Sequence, residues 1–182
     1  MKRYDAIAKR LKKRGGIIGV EVGVWKGKNA ANLLPLLPGL TLYMVDRWQA
    51  YSDEERERDT ISEQARKKQA EFEAAEKSAR NAVTPFGRRT VILKMSSAEA
   101  SEQFDDASLD FVFLDGDHSY EGLKQDIELW LPKVKPGGYL CGHDYTPEGK
   151  RPGITKAVHE AFGKVKRDAD STWFVKVSGD SA

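Results

Sequence analysis

The chain has 182 residues, 40% of them hydrophobic, and a formal net charge of +2. That length suits one folded domain with a full core, and the near-neutral balance speaks against a nucleic-acid binder, which carries a basic excess or face. A single cysteine, Cys141, excludes an intrachain disulfide and fits a reducing, cytoplasmic setting; no apolar run is long enough to span a bilayer, and the start lacks a signal-peptide core.

The segment from Lys2 to Arg14 is locally basic, with Tyr4, Ile7, Ala8 and Leu11 at helical spacing. It reads as a short helix with a solvated basic face. Ile17–Val22 is a buried first strand, followed by a glycine turn and a helix from Asn29 to Leu37. Thr41–Val45 is a second strand that ends at Asp46. Ser52 to Val83 is long and polar: Ser52 with Glu55 fits a capping box, and Ile61, Ala65, Phe72, Ala75, Ala79 and Val83 form a thin apolar stripe. This helical insertion, at about 52–84, suits a helix on the surface, either solvated, closing as a lid over a site, or serving as a homodimer contact.

Thr90–Leu93 and Leu109–Leu114 are the third and fourth strands, the latter ending at Asp115. A helix from Tyr120 to Leu131, a strand at Gly138–Cys141 and a helix from Thr155 to Phe162 follow. Lys164–Arg167 and Thr172–Val177 are placed as a closing strand pair. Apolar strands alternating with helices predict an α/β sandwich, a mostly parallel sheet with helices on both faces. Ligands of such sheets bind beyond the carboxyl ends of the strands, where Glu21, Asp46, Asp115 and Asp144 fall.

Three stretches carry chemistry. In Glu21-Val22-Gly23-Val24-Trp25-Lys26-Gly27, the glycines let a ligand approach the backbone, and the spacing departs from the dinucleotide pattern G-x-G-x-x-G. An acid before the first glycine suits a cationic ligand, such as an amino acid bearing a sulfonium. Asp46 can accept hydrogen bonds from both hydroxyls of a ribose. Asp115, His118, His143 and Asp144 follow the fourth and fifth strands; if those strands are neighbours, two carboxylates meet, and a shared divalent cation, magnesium or manganese, relieves their repulsion. His159 lies on a helix and reads as structural or solvated.

The block FVFLDGDHSYEGLKQDIELWLPKVKPGGYLCGHDY, with PGITKAV and the late Trp173, resembles the class I S-adenosylmethionine-dependent methyltransferases, and closest a small bacterial type related to O-methyltransferases of sugars and antibiotics. The resemblance runs from about Gly15 to Val177. It implies a Rossmann-like sheet with a C-terminal antiparallel strand, S-adenosylmethionine as cofactor and a small-molecule hydroxyl as acceptor. By position it assigns Glu21, Gly23 and Gly27 to the first cofactor motif, Asp46 to the ribose, and Ser96 and Ser97 to the adenine. Asp115 and Asp144 match metal-ligand positions, His143 stands where a third acidic ligand is common, and His118 matches the general base. A non-catalytic S-adenosylmethionine-binding domain is the alternative; a nicotinamide-dependent oxidoreductase would need a dinucleotide-type turn that is absent.

Overall fold

A computed structural model describes residues 1–58, 66–146 and 151–179. Six strands form one sheet in the order β3-β2-β1-β4-β5-β6. They are β1 (Ile17–Val22), β2 (Leu40–Val45), β3 (Thr90–Leu93), β4 (Leu109–Leu114), β5 (Val134–Gly142) and β6 (Trp173–Lys176). All neighbours are parallel except β5 and β6, which run antiparallel. The helices are α1 (Arg3–Leu11), α2 (Lys28–Leu36), α3 (Asp53–Arg58), α4 (Gln69–Val83), α5 (Ser97–Ser101), α6 (Tyr120–Trp130) and α7 (Pro152–Phe162).

The strands are apolar on both sides because both faces are covered. Phe111 and Phe113 face a core built with Ile7 and Leu11 of α1, Leu33 and Leu34 of α2, and Phe72, Ala75 and Ala79 of α4. Val112 and Leu114, one residue out of phase, face the opposite core with Ala100 of α5, Leu123, Ile127 and Trp130 of α6, and Ile154 and Val158 of α7. Alternate pointing of side chains along a strand thus feeds two cores from one sequence run.

Three expectations change. Phe72, Ala75, Ala79 and Val83 are at most 4% exposed, so the stripe of α4 belongs to the core rather than to a thin surface contact; Ile61 and Ala65 lie outside the described residues. The small alanines allow a close approach: a Cβ at Gly27, at φ +74°, would stand only 2.9 Å from the Ala79 Cα, so the turn has no room for a side chain there. Residues 164–167 form no strand, and β6 alone closes the sheet against β5. The arginines of α1 and of the turn that follows it are not simply solvated: Arg10 pairs with Asp168 at 2.6 Å and Arg14 with Asp110 at 3.0 Å, while Arg3 pairs with Asp115. These pairs fasten α1 to the sheet and to the segment leading into β6.

Candidate active site at the carboxyl edge of the sheet

Register builds the site. Val45, Val22, Leu114 and Gly142 stand in one row across β2, β1, β4 and β5. The ladder runs one residue further, with Gly23 N donating to Val45 O at 2.9 Å, Asp115 N to Val22 O at 2.8 Å and His143 N to Leu114 O at 3.1 Å. Asp46, Gly23, Asp115 and His143 therefore share one edge. A cleft of about 760 Å³ opens above it, lined among others by Glu21, Gly23, Asp46, Ser96, Ser97, Asp115, His118, His143 and Asp144.

At one part of this cleft, Glu21 is 2% exposed within β1. Burial, with the charge of Asp115 adding, pushes its carboxyl up to about 8. Its Oε2 and both amide atoms of Asn29, on the first turn of α2, are buried and make no hydrogen bond of good geometry, although the Asn29 amide lies close enough to Glu21 to oppose the effect of burial. Unpaired buried polar atoms are costly, so their gathering beside a cleft suits a polar, cationic guest. Gly23 supplies the approach: at φ +84° a Cβ would run into the Asp115 carbonyl. These features fit the amino-acid part of S-adenosylmethionine.

Asp46 makes backbone contacts that its sequence position did not reveal. Its Oδ2 accepts from the N–H groups of Val24 (3.0 Å) and Trp25 (2.8 Å), and its Oδ1 from Trp48 (2.8 Å). Trp25 and Trp48 both have positive φ, at 51° and 44°, and Trp48 Nε1 donates to the Trp25 carbonyl at 2.8 Å. The carboxylate thus holds two strained loops in place at the rim, where strain of this kind concentrates. Burial raises its pKa, opposed by these three backbone bonds.

Ser96 and Ser97 divide their roles. Ser96 caps α5, its Oγ accepting from Glu99 N at 3.2 Å, so its side chain is engaged locally. Ser97 donates to Asp126 of α6.

The neighbouring strands β4 and β5 bring Asp115 and Asp144 together, as the sequence implied. Both imidazoles bridge them: His118 Nε2 lies 3.1 Å from Asp144 and 3.6 Å from Asp115, and His143 Nδ1 lies 3.0 Å and 3.4 Å away. Burial opposes charge on each ring, but hydrogen bonds to the two carboxylates prevail and push both up to about 9. The same bonds overcome burial and hold Asp115 and Asp144 below the usual carboxylate range. Arg3 completes the pairing of Asp115, and Arg151 Nε lies 3.0 Å from Asp144. Asp115, His118 and Asp144 each offer a ligand atom within 4.8 Å of the others. Two oxygens and an imidazole nitrogen fit a divalent ion such as manganese or magnesium. Asp144 carries its side chain at φ +57°, a conformation that turns the chain sharply at the site.

Arg3, Asn29, Asp126 and Arg151 also line the cleft, and the sequence did not single them out. Asn29 and Asp126 left a usable signal, a polar residue on the apolar face of a helix. His159 is structural, its Nε2 2.7 Å from the Tyr145 hydroxyl.

Comparison with known proteins agrees with this geometry. A family model described as a methyltransferase domain matches residues 20–145. The chain belongs to that methyltransferase family. Its Rossmann-like fold is shared with the O-methyltransferase NovP (TM-score 0.71, 18% identity, 97% of this chain and 79% of that one). It is shared too with the O-methyltransferase TomG of Streptomyces achromogenes, involved in tomaymycin synthesis and solved in complex with S-adenosylmethionine (0.64, 13%, 97% and 80%). Curated relatives match over shorter stretches: an uncharacterized protein of Sinorhizobium fredii is 36% identical over 59 residues, and one of Acanthamoeba polyphaga mimivirus 30% over 71. Those matches cover 32% and 39% of this chain but only 6% and 32% of the relatives. Among the described residues no helix is long and apolar enough to cross a membrane.

Proposed function

We propose that this methyltransferase moves the methyl group of S-adenosylmethionine to a hydroxyl oxygen of a small molecule. The observation that carries the reading is the meeting of His118 with Asp115 and Asp144 in the same cleft as the unpaired Glu21 and Asn29. One part suits the cationic amino acid of the cofactor; the other suits a hydroxyl that must lose a proton.

The reaction is an in-line displacement. The acceptor oxygen bonds to the methyl carbon, the carbon–sulfur bond breaks, and its electron pair stays on sulfur, leaving S-adenosylhomocysteine. The protein contributes alignment and exclusion of water. A protonated alcohol is a poor nucleophile, and neutral His118 can take its proton. Asp115 and Asp144 would then stabilise the imidazolium, and they orient the ring beforehand. His118, with a folded-state value of about 9, must first give up its own proton. Asp115 and Asp144, with His118 or His143, would hold a magnesium or manganese ion, which would lower the pKa of an acceptor hydroxyl and orient it. Arg3 and Arg151 already offset much of the carboxylate charge, so affinity for the ion is modest.

Incubation with methyl-labelled S-adenosylmethionine and pools of hydroxylated compounds tests the reading. Label in an ether product, lost in His118→Ala and Asp115→Asn, is the expected result; label carried only on nitrogen or carbon would refute it.

A further inference from the structure

Asp126 is a buried carboxylate to which the chemistry above assigns no role. It occupies the face of α6 that otherwise carries Leu123, Ile127 and Trp130, and it is 6% exposed. Its Oδ1 accepts from the Ser97 hydroxyl at 2.5 Å, and Ser97 Oγ accepts from Trp130 Nε1 at 2.8 Å. An indole N–H can only donate, so this chain leaves the serine hydrogen for Asp126 and fixes the carboxylate. Its Oδ2 accepts no hydrogen bond among the described residues, yet is not sealed from solvent. It lies over Gly116, 3.9 Å from where a Cβ would stand, and Asp126 is part of the cleft wall.

Among the described residues no cation faces this group. Burial pushes the carboxyl up to about 7, with the charge of Asp117 adding. A purely structural partner for Ser97 would not need a carboxylate, since an amide oxygen accepts as well. An acid kept at such a cost, with one oxygen pinned and the other open to a cleft, is suited to an N–H donor on the ligand.

We propose that Asp126 reads the purine of the cofactor: Oδ2 accepts an N–H from the 6-amino group of adenine, and Ser97 with Trp130 holds the carboxylate in position. The proposal rests on S-adenosylmethionine being the guest of the cleft. That molecule offers three polar donor regions. The ammonium suits Glu21 and the ribose suits Asp46, which leaves the amino group. The surroundings suit a planar ring: Gly116 and Gly122 carry no side chain, and Met95 lines the same cleft. At Gly122 a Cβ would collide with the Asp117 side chain. The adenine-reading acid then comes from α6, and Ser97 after β3 acts as a positioning residue rather than as the reader.

Titration calorimetry of S-adenosylhomocysteine and its 6-oxo counterpart, S-inosylhomocysteine, tests this on the intact protein. Above about pH 8, where Asp126 is ionised, the wild type is expected to prefer the 6-amino ligand by at least tenfold, because O6 would oppose Oδ2 without a proton between them. Asp126→Asn keeps an amide oxygen for Ser97 and turns an N–H toward the cleft. It should bind S-adenosylhomocysteine about tenfold more weakly and reduce or reverse the preference. A wild type that binds both ligands alike, or an Asp126→Asn variant with unchanged preference, overturns the assignment. If the variant does not fold, the wild-type preference alone decides. A wild type that binds neither ligand overturns the assignment and the S-adenosylmethionine reading together, and so differs from failure of the assignment alone.

Discussion

Replacing Glu21 with Gln should make the protein more stable and a poorer binder at once. The carboxyl stands at about 8 in the folded chain against 4.5 without its surroundings, through burial and the nearby Asp115. Because the folded value is raised, the stability it confers is fully present below about pH 4.5 and is lost as pH rises to about 8. Each decade in that window is worth about 1.4 kcal/mol. The ceiling is thus about 3 kcal/mol lost at pH 7 and about 5 kcal/mol above pH 8. Glu21→Gln does not titrate, so it should melt above the wild type at pH 8, with the gap closing toward pH 5. The same change removes a charge-assisted hydrogen bond to the ammonium of S-adenosylmethionine. That costs about 1.5–3 kcal/mol, or roughly 10- to 150-fold in affinity. Wild-type binding at pH 7 should release close to one proton more than binding by the variant, as the incoming cation ionises Glu21. Calorimetry in two buffers of different ionisation enthalpy measures affinity and proton release together. Unchanged affinity in a folded variant, or equal proton release by wild type and variant, would refute the pairing.

Other changes test the rest of the cleft. Gly23→Ala forces a Cβ against the Asp115 carbonyl at positive φ; loss of about 1–3 kcal/mol of stability and of most cofactor affinity is expected, as read by thermal melts with and without S-adenosylhomocysteine. Arg3→Ala removes a cation from Asp115, and methyl transfer should fall by about tenfold, roughly 1.4 kcal/mol, while cofactor affinity holds; a parallel loss of affinity would make Arg3 a binding residue instead. In chelator-treated protein, transfer should rise with pH through a midpoint near 9, since His118 must be neutral to accept a proton. Added manganese should move that midpoint down, because a dication held by Asp115 and Asp144 weakens the carboxylate pairing that keeps the ring protonated and lowers the pKa of the acceptor hydroxyl itself. A flat profile from about pH 6 to 10 would dismiss His118 as the base.

The strands were legible because a sheet covered on both faces needs near-continuous apolar runs, as in Leu109–Leu114, where all six residues are buried. The edge that carries the site followed from where those runs stop, which brought Asp46, Asp115 and Asp144 into view. What failed depended on contacts distant in sequence. The stripe of α4 looked thin because alanine is small, and its burial comes from residues far away in sequence, among them the glycine turn at Gly27 against Ala79 and Trp25 against Phe72. Arg3 meets Asp115 across 112 positions, and nothing in a basic N-terminal helix distinguishes it from Lys9 or Lys12. Residues 164–167 form no strand although, among the described residues, the outer edge of β6 is free, and β6 pairs with β5 alone. Asp126 was within reach: its spacing with Leu123, Ile127 and Trp130 marks a carboxylate facing a core.

The central claim is that cofactor capture and hydroxyl activation are separate tasks at two parts of one cleft. The direct measurement pairs S-adenosylhomocysteine affinity with transfer of labelled methyl to an accepted hydroxyl, in His118→Ala and in Glu21→Gln. His118→Ala should bind S-adenosylhomocysteine like the wild type while losing nearly all transfer. Glu21→Gln should lose affinity and recover much of its rate at saturating S-adenosylmethionine. Full transfer by His118→Ala, or loss of cofactor affinity in that variant comparable to Glu21→Gln, would contradict it.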